Sequence, residues 1–223
     1  MGSQINIASD GMQCIGAYVG QANTAALGGI VVVQEIFGVN SHIRSLVDRF
    51  AAHGYTAIAP AFFDHVETGV ELDYDAQGIE RGRALVGALD LDRVLGDVAS
   101  AADAIRSAGK IGVVGYCWGG TIALLAASRL GLPAVSYYGA RNVAYLDEVS
   151  RAPLQFHFGQ RDSSIPPQAV QRHRETFADA EIFEYPAGHG FNCDVRKDYD
   201  EASASLAFKR TLAFFERNIG GDA

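Results

Sequence analysis

Short, wholly apolar runs alternate along this chain with longer stretches in which apolar positions recur every three or four residues. Ile5 and Ile7 alternate with polar neighbours, as do Ile15, Ala17 and Val19, which is the period of half-buried strands. Residues 30–33 (Ile-Val-Val-Val) are apolar at every position, the pattern of a strand covered on both faces. Asn40 or Ser41 can cap a helix whose apolar face is Ile43, Leu46, Val47 and Phe50 and which ends at Gly54. Residues 55–59 form a second short strand, stopped by Pro60. The segment 62–78 is polar, irregular and rich in acidic residues, and reads as an excursion or lid-like loop. Residues 91–107 follow as a helix with Val94, Leu95, Val98, Ala101, Ala102 and Ile105 on one face.

The second half repeats the alternation. A strand at 111–115 leads at once into a helix over 118–130, and further strands fall at 134–138, 154–158 and 181–185, with helices over 168–177 and 199–218. Strand–helix alternation of this kind predicts the α/β class: a mostly parallel sheet of about seven to eight strands flanked by helices on both faces. Such sheets place their chemistry just beyond the carboxyl ends of the strands. No repeat or linker divides the chain, so a single domain over 1–223 is expected.

Gly115-Tyr116-Cys117-Trp118-Gly119-Gly120 follows one of these strands and opens a helix. It matches the strand–turn–helix elbow that presents a nucleophile, with cysteine where serine is usual. The glycines spare the sharp turn a steric collision, and the helix N-terminus favours a thiolate. The backbone N–H of Trp118 then points at a developing oxyanion, and the loop after strand 30–33 supplies a second donor, the N–H of Ile36. Such an elbow requires an acid and then a histidine, each after its own strand. Asp162 follows strand 154–158 and His189 follows strand 181–185. Singly, an Asp before Ser-Ser is most often a turn residue and a His between glycines a surface one. Arriving in the required order, Cys117, Asp162 and His189 support one another as nucleophile, orienting acid and base. The remaining histidines fit the pattern less well, and His157, in mid-strand, reads as a core or interface residue.

Composition sharpens this. The chain carries 26 acidic against 18 basic residues, a formal charge of −8, and no basic run, so neither nucleic acid nor an anionic membrane surface is an expected partner. Three cysteines at irregular positions argue against a disulfide framework. The N-terminus lacks a basic stretch followed by an apolar one, so a cytoplasmic setting is expected. Neither H-E-x-x-H nor paired C-x-x-C spacing occurs, and no metal or cofactor is called for.

Gln34-Glu35-Ile36-Phe37-Gly38-Val39-Asn40, Gly115-Tyr116-Cys117-Trp118-Gly119-Gly120, Arg161-Asp162 and Ala187-Gly188-His189-Gly190-Phe191 together closely resemble the dienelactone hydrolases (carboxymethylenebutenolidases) of the α/β-hydrolase superfamily. The similarity runs through the whole chain, including Tyr137-Tyr138-Gly139. The resemblance implies an α/β-hydrolase fold and an enzyme of aromatic degradation that opens dienelactone to maleylacetate through a cysteine acyl-enzyme. It also implies that Glu35 hydrogen-bonds or deprotonates the Cys117 thiol when substrate binds. Arginines hold the substrate carboxylate in that family. Arg81 lies in a matching segment with Arg83 beside it, whereas the family's second arginine falls where this chain has Asn192-Cys193-Asp194, with Arg196 further on. Phe37, Phe191 and Trp118 are candidate apolar linings of the mouth. A small lactone or ester is thus the expected partner; the residues leave the oligomeric state open, a monomer included. A broader cysteine esterase or thioesterase of the same fold, and a catalytically silent ligand-binding protein, are the competing readings.

Overall fold

Val31, Val32 and Val33 have no exposed surface, and the strand they belong to, β3 (Gly29–Val33), is buried from end to end. The protein is described by a computed structural model covering residues 2–9 and 13–221. Met1, part of the N-terminal reading above, lies outside these. The chain forms two compact units, 1–112 with 219–223, and 113–218.

In the first unit, β1 (Ser3–Ser9) pairs antiparallel with β2 (Gln13–Gly20), Ile7 facing Ile15. β2 pairs antiparallel with β4 (Thr56–Pro60), which runs parallel to β3. Helix α1 (Ser41–Ala52) is capped by Asn40, whose side-chain oxygen accepts the Ile43 N–H, and it buries the expected Ile43, Leu46, Val47 and Phe50. Helix α2 (Ala76–Ala88) corrects the expectation that 62–78 is one loose loop. Its start is marked by Asp75, which accepts the Gly78 N–H. Gly78 and Gly82 weaken the helical pattern in the sequence, but they are needed. A Cβ at either would run into a backbone carbonyl oxygen, that of Asp73 or of Ile36. The excursion is also anchored at its other end, where Phe62 and Phe63 are buried in a single 3₁₀ turn. His65 in that turn meets Asp97 at 2.5 Å, both buried, on α3 (Leu91–Ala104). Helix α3 stops before the expected Ser107 and gives way to a 3₁₀ turn.

In the second unit, β5 (Ile111–Tyr116), β6 (Ala134–Tyr137), β7 (Leu154–Gly159) and β8 (Glu181–Tyr185) pair in that order, each parallel to its neighbour. Their carboxyl ends therefore open on one rim. Helix α4 (Trp118–Leu125) is buried on every side, which is why its sequence is apolar all round. The expected helix to Leu130 continues instead as a π-helical turn, closed by Gly131 in the left-handed region. Helix α5 (Pro167–Thr176) carries proline at its start, where no N–H is needed. Helix α6 (Glu201–Ile219) begins two residues later than expected because Asp200 caps it, accepting the Ser203 N–H. Eight mostly parallel strands and six α-helices among the described residues fulfil the expected α/β class. Among the same residues, no helix is long and apolar enough to cross a membrane.

Candidate active site

Strand β5 ends at Tyr116 and α4 begins at Trp118, so Cys117 alone makes the turn. It does so at φ 54°, one of only two positive-φ non-glycine residues among those described, the other being Tyr138. A strained backbone of this kind costs about 1–3 kcal/mol and persists only where its surroundings over-determine it. Here the Cys117 N–H donates to the Tyr137 carbonyl at 3.0 Å, and the Cys117 carbonyl accepts the Gly120 N–H at 3.0 Å. Gly115 has the expected role, and Gly120 shares it. A Cβ at Gly115 would run into the Gly119 carbonyl oxygen, and one at Gly120 would lie 2.7 Å from the Tyr137 carbonyl oxygen. The sulfur is left half-exposed at the start of a helix.

The acid and the histidine are brought together by the loops that extend β7 and β8. Beyond the strands, the Gln160 N–H donates to the Tyr185 carbonyl at 2.8 Å and the Arg161 N–H to the Ala187 carbonyl at 2.9 Å. Gly159 permits this approach, since a Cβ there would sit 2.5 Å from the Ala187 carbonyl oxygen. His189 Nδ1–H then donates to Asp162 Oδ2 at 2.7 Å, and His189 Nε2 lies 3.2 Å from Cys117 Sγ. The turn role of Asp162 is present too: its other oxygen accepts the Ser164 N–H at 2.8 Å. One carboxylate thus anchors its own loop and fixes the imidazole tautomer, leaving Nε2 for the sulfur.

Electrostatics favour a protonated His189. Burial pushes the His189 imidazolium toward losing its proton, but hydrogen bonds and charges from Asp162 and Cys117 outweigh it and lift its pKa to about 10. A Cys117 thiolate, once formed, therefore keeps its partner protonated through the neutral range. The acylation step, read as kcat/KM on an uncharged aryl ester, is expected to hold its value above neutral pH and to fall as pH passes about 10. A decline setting in near pH 7 would contradict this. Because Cys117, His189 and Asp162 occupy one another's donor and acceptor atoms, the arrangement suits proton relay and nucleophilic attack rather than metal ligation.

The other expected residues fall as follows. Glu35 follows β3 in the first unit, fully buried, and its Oε2 accepts the Tyr74 hydroxyl at 2.9 Å. Tyr74 in turn accepts from Asn40 Nδ2 at 3.2 Å and packs its ring 4.3 Å from that of Phe37. The sequence marks Tyr74 only as an aromatic ring amid the acidic residues of the excursion. Ile36 turns its carbonyl toward Gly82 of α2. Arg81 is exposed and ion-paired with Glu67 at 2.5 Å, and Arg83 is exposed on the same helix. In the second unit, Trp118 is the first residue of α4. Phe191 has no exposed surface and packs against Tyr137, Tyr138 and Tyr185, so in this structure it is a core ring rather than an open lining. Arg196 lies against Gly190, its guanidinium carbon 2.6 Å from where a Cβ would stand. His157 is buried, as expected of a core residue. It is bonded to Tyr185 and Gln155, and burial pushes its pKa well below the ordinary value. Cys14, exposed, and Cys193, buried, form no disulfide among the described residues.

A strand–cysteine–helix elbow followed by an acid and a histidine after later parallel strands defines an α/β-hydrolase. The dienelactone hydrolase family model matches residues 15–219, and the chain belongs to that family. It is 34% identical over 222 residues to the carboxymethylenebutenolidase of Pseudomonas putida, covering 94% of each chain. Carboxymethylenebutenolidase 1 of Cupriavidus pinatubonensis is 30% identical over 209 residues, with 88% of this chain and 89% of that one covered. A crystal structure from Klebsiella pneumoniae, provisionally named a dienelactone hydrolase, superposes with a TM-score of 0.86 at 32% identity, over 97% of this chain and 98% of that one. A dienelactone hydrolase-like promiscuous phosphotriesterase from metagenomic libraries shares the fold at 17% identity, with a TM-score of 0.75 over 98% and 99% of the two chains. The protein is a hydrolase acting on carboxylic esters.

Proposed function

We propose that this single-domain enzyme is a carboxymethylenebutenolidase that opens dienelactone to maleylacetate through a thioester on Cys117. The observation that carries the reading is the continuous chain from Asp162 through His189 to Cys117 Sγ, with spacings of 2.7 and 3.2 Å. In the reading, the Cys117 thiolate attacks the lactone carbonyl and its electron pair forms the C–S bond. The carbonyl electrons move onto oxygen, where the Trp118 and Ile36 N–H groups receive them. Collapse breaks the ring C–O bond and the enolate departs, taking the proton of the His189 imidazolium to become the ketone. His189, neutral once the sulfur is acylated, removes a proton from water as it attacks the thioester, and the thiolate leaves. A thiol nucleophile suits this substrate because the enolate is a good leaving group and needs little proton donation. Arg81, Arg83 and Arg196 are the candidates for the substrate carboxylate. Arg196 is supported by its packing on Gly190, the residue after His189.

Glu35 is proposed as the group that takes the thiol proton when substrate binds, a role supported by the family resemblance, by its full burial and by the Tyr74 hydroxyl it accepts. Glu35→Gln keeps the shape and removes the base, so kcat should fall at least about 10²-fold, in the range general-base removal produces, with KM little changed. Near-normal turnover would end that assignment. The substrate is tested by following ultraviolet absorbance of cis- and trans-dienelactone. The reading expects a higher kcat/KM on a dienelactone isomer than on a simple aryl acetate. The reverse order would make the protein a broader cysteine esterase.

A further inference from the structure

We infer that Tyr138 is a positioning residue whose ring holds the His189 imidazole in line with the Cys117 sulfur. The inference rests on Cys117 and His189 being the reacting pair. Tyr138 stands just past the end of β6 at φ 39°. It and Cys117 are the only two strained non-glycine backbones among the described residues, and they are neighbours: the Cys117 N–H donates to the carbonyl of Tyr137. Left-handed backbone is sparsely populated for a bulky side chain, and two such residues side by side call for a reason.

The turn that bears Tyr138 is held on every side. Its N–H donates to the His157 carbonyl on β7 at 2.8 Å. The next residue, Gly139, accepts the Asn142 N–H at 3.3 Å. Asn142 in turn accepts from Thr121 Oγ1 of α4 at 2.9 Å and donates through Nδ2 to Ser136 Oγ at 3.3 Å. A strand continuing through Tyr138 would carry its side chain on by alternation. The left-handed turn instead sets the ring 5.2 Å from the His189 ring, 60° out of plane. Behind it, Phe191 packs at 5.4 Å and is itself backed by Tyr185 at 5.0 Å. The Tyr138 side chain has no exposed surface and so cannot swing away.

The imidazole needs such a stop. Hydrogen bonds at Nδ1 and Nε2 fix two points of the ring, and the plane can still rock about the line joining them while both bonds stay near their lengths. Rocking turns the Nε2 lone pair or proton away from the sulfur. A ring packed edge-to-face against the imidazole blocks that motion, and the aromatic pair is favourable in itself. The backbone strain at Tyr138 is thus spent on aiming one side chain at the base.

The test compares Tyr138→Phe with Tyr138→Leu in the whole protein, with Cys117→Ala beside them. Phe keeps the ring and should keep kcat within about twofold. Leu should lower kcat about tenfold or more, with KM changed far less, as expected when a reacting group is misaligned. The rate at which iodoacetamide alkylates Cys117 should show its pH midpoint moving upward in the Leu variant and unmoved in the Phe variant, because the misaligned imidazolium supports the thiolate less. A melting temperature on each variant separates folding from alignment. Wild-type turnover in Tyr138→Leu, equal losses in both variants, or lost turnover with an unmoved alkylation midpoint would each overturn the inference. Activity surviving in Cys117→Ala would instead sink the reading of the site beneath it.

Discussion

Cys117→Ala is expected to lower kcat on dienelactone by about 10⁴-fold or more, the scale on which removing the nucleophile of a triad acts. Alanine takes away the sulfur proposed to form the thioester while leaving the rest of the elbow in place. The backbone at this position stays in its left-handed turn, held by the Tyr137 carbonyl and the Gly120 N–H, and alanine meets the same strain there as cysteine does. The variant should therefore fold and melt near the wild-type temperature. What activity remains would come from the oxyanion donors and from binding alone. Retention of more than about a tenth of wild-type turnover would be inconsistent with covalent catalysis at Cys117.

Asp162→Asn should reduce kcat by about 10²- to 10⁴-fold, the upper figure being that of the corresponding change in serine triads. Asparagine can keep the Ser164 N–H and so preserve the loop, but it offers no anion to the imidazole. Its amide can donate to Nδ1 and stabilise the wrong tautomer, which turns the ring's proton toward the sulfur. The same substitution removes one of the causes that lift the His189 pKa to about 10, so the alkaline limb of kcat/KM should begin at lower pH. Stability carries a matching signature. Because the folded pKa is raised above the ordinary value of 6.5, the ion pair stabilises the fold fully below that pH and ceases to do so as pH rises through about 10. The gap in melting temperature between wild type and Asp162→Asn should accordingly narrow at the alkaline end. A gap independent of pH would mean that the pair is not charged.

Much of the second unit was legible because its signals are local. The turn at Cys117 needs glycine on the strand side at residue 115, and the parallel strands on either side are short apolar runs that cannot be helices. β8 falls on the residues expected, and Asp162 and His189 follow their strands within a few positions. The first unit was less legible. Helix α2 is hidden by Gly78 and Gly82, which serve close backbone approach at the expense of helical pattern. The excursion reads as polar, yet Phe62 and Phe63 are core residues, and a handful of acidic neighbours mask them. Tyr74 reaches Glu35 from 39 positions away, a pairing that no local period encodes. Phe191 and Tyr138 show the same limit. An aromatic residue beside a glycine-flanked histidine looks like a pocket wall, and only packing reveals that Phe191 is enclosed while Tyr138 touches the imidazole itself.

The most direct measurement is mass spectrometry of enzyme quenched in acid during steady-state hydrolysis of an activated aryl ester, followed by proteolytic mapping of the acyl group. The account predicts an acyl adduct on the peptide containing Cys117, labile to hydroxylamine as a thioester is, and gone in Cys117→Ala. An adduct on any other residue, or turnover by the Cys117→Ala protein at the wild-type rate, would contradict it.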